Sequence, residues 1–258
     1  MSINYFFENS GVQAGLPRGS TLATLGRYAG LHVKYSFRNT EGTEAQISPE
    51  SGTSLTLQYE ISRSVFGASR FLNQQVVWGD ARAYLPIPIA PHHVLALRAA
   101  GGDSFGNLLI QGNFGLGGSV GESLLTSVSS RLFTLRGLPL VTFSRDRAWI
   151  SSAEYRIPLV QPRVGVGTLP LGVQNAHLAF FTDTGDAFDP GEPKFRPFVG
   201  VGGEVRAEFL IGYHLPLLAR LGYGIILTHR DRLSGIKDGL TRVDVRNGVM
   251  ILDLGSSF

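Results

Sequence analysis

Few residues in this chain combine a reactive type with a useful spacing. Asp183, Asp186, Asp189 and Glu192 lie close together in DTGDAFDPGE. Asp-Thr-Gly is the aspartic-protease signature, but that chemistry needs two such carboxylates sharing one proton, and the chain holds a single copy. The same acidic string lacks the alternating ligand spacing of a dedicated calcium loop. His92 and His93 are adjacent, so on a strand they point oppositely, and no third ligand stands at metal-site spacing. GLGG and GVGGEV precede no helix, so neither is a phosphate loop. No Ser/His/Asp set is ordered for nucleophilic attack. These residues imply no catalysis, no cofactor and no metal. The charged residue that does stand out is Arg136, followed by Gly137 in SSRLFTLRGLPLV after the Gly/Ser-rich segment NFGLGGSVGESLLTSVSS.

What must position that arginine is a β chain. The sequence has 258 residues, enough for one or two soluble domains or one closed β structure. No apolar run approaches a spanning helix. There is no cysteine, which suits an oxidising envelope compartment among others. Net charge is only +3 and the arginines are dispersed, so nucleic acid is not an expected partner. MSINYFFENSG has no basic region followed by an apolar core, so it does not read as a signal peptide, and an exported form is expected to be a mature piece or a fragment.

Segments of about ten residues alternate apolar and polar between Gly, Pro, Asn, Asp and Ser. Leu55, Leu57, Tyr59 and Ile61 share one face against Ser54, Thr56, Gln58 and Glu60. Trp149, Ala153, Tyr155 and Ile157 oppose Ser152, Glu154 and Arg156; Val199, Val201, Val205, Ala207 and Phe209 oppose Glu204, Arg206 and Glu208. About ten strands are predicted, near 2–9, 20–39, 52–65, 72–87, 92–101, 147–159, 175–187, 197–213, 217–230 and 243–258. Alternation alone fits a soluble sandwich, a lipocalin-like barrel or a transmembrane barrel. The long strands, the aromatics near strand ends and the charges beside glycines favour an antiparallel transmembrane barrel, with apolar side chains facing lipid.

Particular motifs carry a resemblance. VMILDLGSSF places Met250, Leu252, Leu254 and Phe258 as the terminal-strand signature of bacterial outer-membrane barrels does, with Ser256 as a departure. FGLGG at 114–118 with LRGLP at 135–139 resembles the loop and Arg-Gly tip of the barrel-assembly and two-partner-secretion transporter superfamily, the BamA-type or bacterial surface antigen barrels. AEYRIPL at 153–159 resembles its Glu-x-Arg strand, AFFTDTGDAF at 179–188 its Phe-x-Asp-x-Gly strand, and SPESGTSLTL at 48–57 its Pro-x-x-Gly strand start. The resemblance implies that residues 1–258 are the C-terminal portion of a sixteen-stranded barrel without its periplasmic repeats. It implies the outer membrane of a Gram-negative bacterium and work in barrel-protein insertion or polypeptide translocation. Implied partners are outer-membrane lipid, unfolded barrel proteins or secreted polypeptide, and other assembly-machine subunits. Alternatives are a barrel that anchors or forms a pore for a fused enzyme such as a patatin-like lipase, or a soluble β-sandwich binding protein.

By the same resemblance, the long segment before 147 folds back inside, with Arg136 at its tip and Gly137 permitting the tight backbone. Strand parity turns Glu154 and Asp183 inward. Arg136 is then expected to pair with Asp183, Glu154 or both, in the fork geometry a guanidinium offers carboxylates. The alternative is an exposed loop arginine beside two unrelated carboxylates. The superfamily tip carries an aromatic after Arg-Gly where this chain has Leu138 and Pro139, so the tip is expected to lose an aromatic contact.

Overall fold

The computed structural model describes residues 1–10, 26–41, 49–70, 72–88, 90–106, 112–118, 131–139, 143–160, 164–165, 171–192, 196–211, 215–233, 237–238, 241–242 and 248–256. Among these residues there is no α-helix. The long strands are β1 (Ser2–Ser10), β2 (Gly26–Glu41), β3 (Ser51–Arg63), β4 (Asn73–Pro86) and β5 (Val94–Gly106). The connection that follows β5 holds three short strands, β6 (Phe114–Gly117), β7 (Leu132–Thr134) and β8 (Phe143–Arg145). Next come β9 (Arg147–Val160), the two-residue β10 (Val164–Gly165), β11 (Leu171–Phe188), β12 (Phe198–Ile211) and β13 (Leu215–Ile226). The last are a small hairpin, β14 (Lys237–Asp238) and β15 (Thr241–Arg242), and β16 (Val249–Ser256).

One antiparallel sheet runs β1-β2-β3-β4-β5-β9-β11-β12-β13-β16, ten strands in chain order, with β10 paired beside β11. Each neighbour follows its predecessor in a meander, interrupted only where the β5–β9 connection is inserted. Among the described residues the sheet does not close on itself: β1 pairs only with β2 and β16 only with β13.

Residues alternate between the two faces of a strand, so register fixes each face as a set of rows. One face, here called outer, is apolar from strand to strand. A row crosses it through Leu85, Leu95, Tyr155, Phe180, Gly203, Tyr223 and Met250. The next crosses through Ile157, Leu178, Val205, Leu221 and Leu252. Several of these large side chains are exposed, Leu221 at 56% and Leu252 at 68%. So are Tyr35, Phe37 and Leu57 on β2 and β3.

The other, inner face is polar and is covered in part by the β5–β9 connection. Its rows include Lys34, Gln58 and Trp78, then Ser36, Thr56 and Asp80, then Arg38, Ser54, Arg82, Arg98, Ser152 and Asp183. The main apolar cluster sits between this face and the connection. Phe114, Leu116, Phe133, Leu135 and Leu138 of the connection pack with Val76, Ala100, Ile150, Phe198 and Ile226 of the sheet. Phe114 stacks on Phe133 at 5.7 Å between ring centroids. It lies directly over Gly102, where any Cβ would stand 2.3 Å from the ring.

One sequence expectation needs correcting. The segment between 102 and 146 has no strand periodicity, yet it holds a three-stranded sheet, β7-β6-β8, with β6 and β7 parallel. Those strands are three or four residues long, too short to show a period of two. The expected antiparallel β chain of about ten strands is present as one sheet, which among the described residues is open between β1 and β16.

Candidate functional site

The site is the tip of the β5–β9 connection where it meets β9, β11 and β12. Gly117 accepts a backbone hydrogen bond from Leu135, and Leu138 donates one back to Leu135, closing a turn around Arg136 and Gly137. Gly137 has φ +97°, the left-handed region that side chains resist. The turn rests on a floor of glycines in β12 and β13. A Cβ at Gly200 would stand 2.4 Å from the Arg136 carbonyl oxygen, and one at Gly224 would stand 2.9 Å from the Gly137 nitrogen. Backbone therefore meets backbone, and the arginine side chain runs along the inner wall.

Arg136 binds three carboxylates on three adjacent strands. Its Nε donates to Asp183 Oδ2 at 2.8 Å and its Nη2 to Oδ1 at 2.7 Å. Its Nη1 donates to Glu154 Oε2 at 2.5 Å and to Glu204 Oε1 at 3.1 Å. The Arg136 backbone N–H adds a bond to Asp183 Oδ2 at 3.1 Å. The guanidinium carbon stands 3.8 Å from the centroid of the Phe181 ring. Arg136, Glu154, Asp183 and Glu204 are all buried. Burial of one cation against three anions needs further positive charge, and neighbouring arginines of the wall supply it. Arg206 binds Glu154 at 2.6 Å and also pairs with Glu204; Arg156 binds Glu154 at 2.6 Å and Arg220 reaches Glu204 at 3.3 Å. Ser152 donates to Asp183.

The structure thus brings Arg136, Gly137, Glu154 and Asp183 together. Glu204, Arg206, Arg156, Arg220 and Phe181 belong to the same cluster and were not foreseen in it. Parity turns Glu204 and Arg206 inward, but only cross-strand register, which the sequence does not show, sets them beside Glu154. Phe181 presents its ring to the Arg136 guanidinium. It does so from the wall, by a cation–π contact.

Of the terminal-strand residues, Met250 and Leu252 are exposed on the outer face. Leu254 pairs with Ala219 along the backbone, and its side chain lies outside the described residues, as does Phe258. His177 faces inward as a residue on the Asp183 face must, but six positions away. It sits opposite Arg206, and neither ring nitrogen has a partner among the described residues. His93 donates to or accepts from Tyr155 Oη at 2.7 Å and His92 pairs with Glu50 at 2.9 Å, so the two rings diverge. Asp186 takes Arg232 at 2.8 Å and accepts the Arg196 backbone N–H at 3.1 Å. Asp186 and Asp189 of the acidic string are drawn into loop-end ion pairs, and no group of carboxylates and histidines suited to a metal occurs among the described residues.

No protein-family model matches the chain, and no curated protein matches it. The fold and site define an all-β chain whose ten-stranded antiparallel sheet is cross-linked on one face by an ion cluster centred on an inserted turn.

Proposed function

We propose that this chain is an integral outer-membrane β-barrel, or the greater part of one, of the barrel-assembly and polypeptide-translocation superfamily. Its work in this reading is to insert barrel proteins into the outer membrane or to pass polypeptide across it. The observation that carries the reading is the position of Arg136. It stands at the tip of an inserted loop, bound to the carboxylates of the two strands that bear the Glu-x-Arg and Phe-x-Asp-x-Gly motifs. The apolar outer face supports the membrane half of the proposal, since lipid is the solvent in which exposed Leu57, Val205, Leu221 and Leu252 cost nothing.

The free edges supply the mechanism. Unpaired N–H and C=O groups in hydrocarbon cost several kcal/mol each, so β1 and β16 must be covered in a bilayer. When they pair with each other or with further strands, the wall is sealed. When they part, each offers a template on which a substrate segment adds as a strand. The ion cluster holds β9, β11 and β12 together through such opening, because Arg136 ties the three from inside.

The test is to fold the chain into lipid vesicles and follow the insertion of an unfolded eight-stranded barrel protein. The expected result is faster insertion than into empty vesicles. A chain that is monodisperse without detergent and does not enter vesicles contradicts the membrane reading. One that enters them without accelerating the substrate contradicts the assembly reading.

A further inference from the structure

The described residues of the inserted connection do not cover the whole inner face. They lie over β9, β11 and β12 through the Arg136 cluster, and over the loop-end half of β3, β4 and β5. There Arg131 binds Glu60 at 2.6 Å, and Trp78 packs against the apolar cluster with Val76. The other half of β2 to β5 is open among the described residues, and its character is cationic. Arg38, Ser54, Arg82 and Arg98 form one inward row across four adjacent strands, and Lys34 stands two residues before Ser36 on the same face. Among the described inward residues of these strands past Glu60, Asp80 is the single carboxylate.

Arg82 and Arg98 are direct cross-strand partners. Like charges placed opposite each other destabilise a sheet. Here both are held by Asp80, which binds Arg82 at 2.9 Å and Arg98 at 2.7 Å. One anion answers two cations, and Arg38 and Lys34 add to the excess. Arg38 is exposed, and the Arg82 side chain is 46% exposed against 8% for Arg136. Nothing in the Arg136 cluster needs this charge, because that cluster already supplies four guanidiniums to three carboxylates.

We infer that the open side of the inner face is an anion-preferring passage, along which Arg38, Arg82, Arg98 and Lys34 concentrate small anions past the inserted connection. Rings and rows of fixed cations select anions by raising their local concentration in a confined, low-dielectric space. The inference rests on the barrel reading of the previous subsection.

The chain is reconstituted in a planar bilayer under a potassium chloride gradient and its reversal potential read. Chloride is expected to permeate severalfold better than potassium, since rows of fixed Arg and Lys favour anions. Arg38→Gln with Arg82→Gln should bring the ratio close to one, and Arg38→Glu with Arg82→Glu should invert it. Both residues are exposed and lie outside the Arg136 cluster, and the Gln pair keeps side-chain length, so folding is checked by its unchanged heat-modifiable mobility. Cation preference in the unaltered chain, or a folded and inserted chain that conducts nothing, overturns the inference while leaving the barrel reading intact. A chain that never inserts overturns both.

Discussion

Arg136 grips both oxygens of Asp183 from 47 residues away, Nε to Oδ2 at 2.8 Å and Nη2 to Oδ1 at 2.7 Å. The paired, planar contact is one that guanidinium makes and ammonium does not. Arg136→Lys therefore loses the fork while keeping the charge. Arg136→Ala leaves Asp183, Glu154 and Glu204 facing one another with Arg156, Arg206 and Arg220 for compensation. Removing one partner of a buried ion pair costs about 3–5 kcal/mol. Thermal unfolding followed by gel mobility should show a large drop for Arg136→Ala and a smaller one for Arg136→Lys. Limited proteolysis should cut the residue 107–146 connection faster in both.

The cluster's charge is balanced as a unit, so its members should not behave additively. Glu204→Gln leaves Arg136, Arg206 and Arg220 short of an anion, and a loss of about 2–4 kcal/mol is expected for an unpaired buried charge. Adding Arg220→Gln removes one of those stranded cations and should return part of the loss. A double-mutant cycle measures this, and a coupling indistinguishable from zero would show that Arg220 and Glu204 act independently.

Gly137 faces two constraints at once. Its φ of +97° strains any L side chain, and a Cβ there would stand 3.2 Å from the backbone of Gly224 and Ile225. Gly137→Ala should destabilise the tip by about 2 kcal/mol or more. Gly191, also at positive φ but with open space around it, should tolerate Ala with only the backbone penalty. Equal losses at the two positions would mean that close packing at the tip adds nothing.

At the loop end, burial and then the neighbouring Asp189 carboxylate hold the Asp146 pKa above its ordinary value. A raised carboxyl pKa means that the ionised form disfavours the fold. That cost is fully present above the raised pKa and vanishes as pH falls below the ordinary carboxylate range. Asp146→Asn should accordingly gain stability at neutral pH and lose the gain in acid. A gain that persists unchanged in acid would place its origin elsewhere.

The sheet was legible because its strands are long enough to display their period. Leu55, Leu57 and Tyr59 against Thr56, Gln58 and Glu60 assign β3 and its faces from sequence alone. The inward turn of Glu154 and Asp183 follows from the same parity. Glu204, Arg206 and Phe181 joined the cluster only through register, which depends on the lengths of the connections between strands rather than on any local pattern. The β6, β7 and β8 strands were illegible for a different reason. Glycines such as Gly115 and Gly117 erase the apolar alternation, and the segment's order comes from packing Phe114 and Leu116 onto the wall.

The most direct test uses the absence of cysteine from the chain. Single cysteines at Leu57, Val205 and Leu221, and at Thr56, Gln58 and Ser54, are spin-labelled in lipid vesicles and probed with oxygen and with a water-soluble nickel chelate. The first three labels should collide with oxygen and be shielded from nickel, the last three should meet nickel, and the pattern should switch from one residue to the next. Labels at Leu57, Val205 and Leu221 that are immobile and inaccessible to both probes, with the polar set open to bulk water, would make the apolar face a protein interior and contradict the membrane-spanning account.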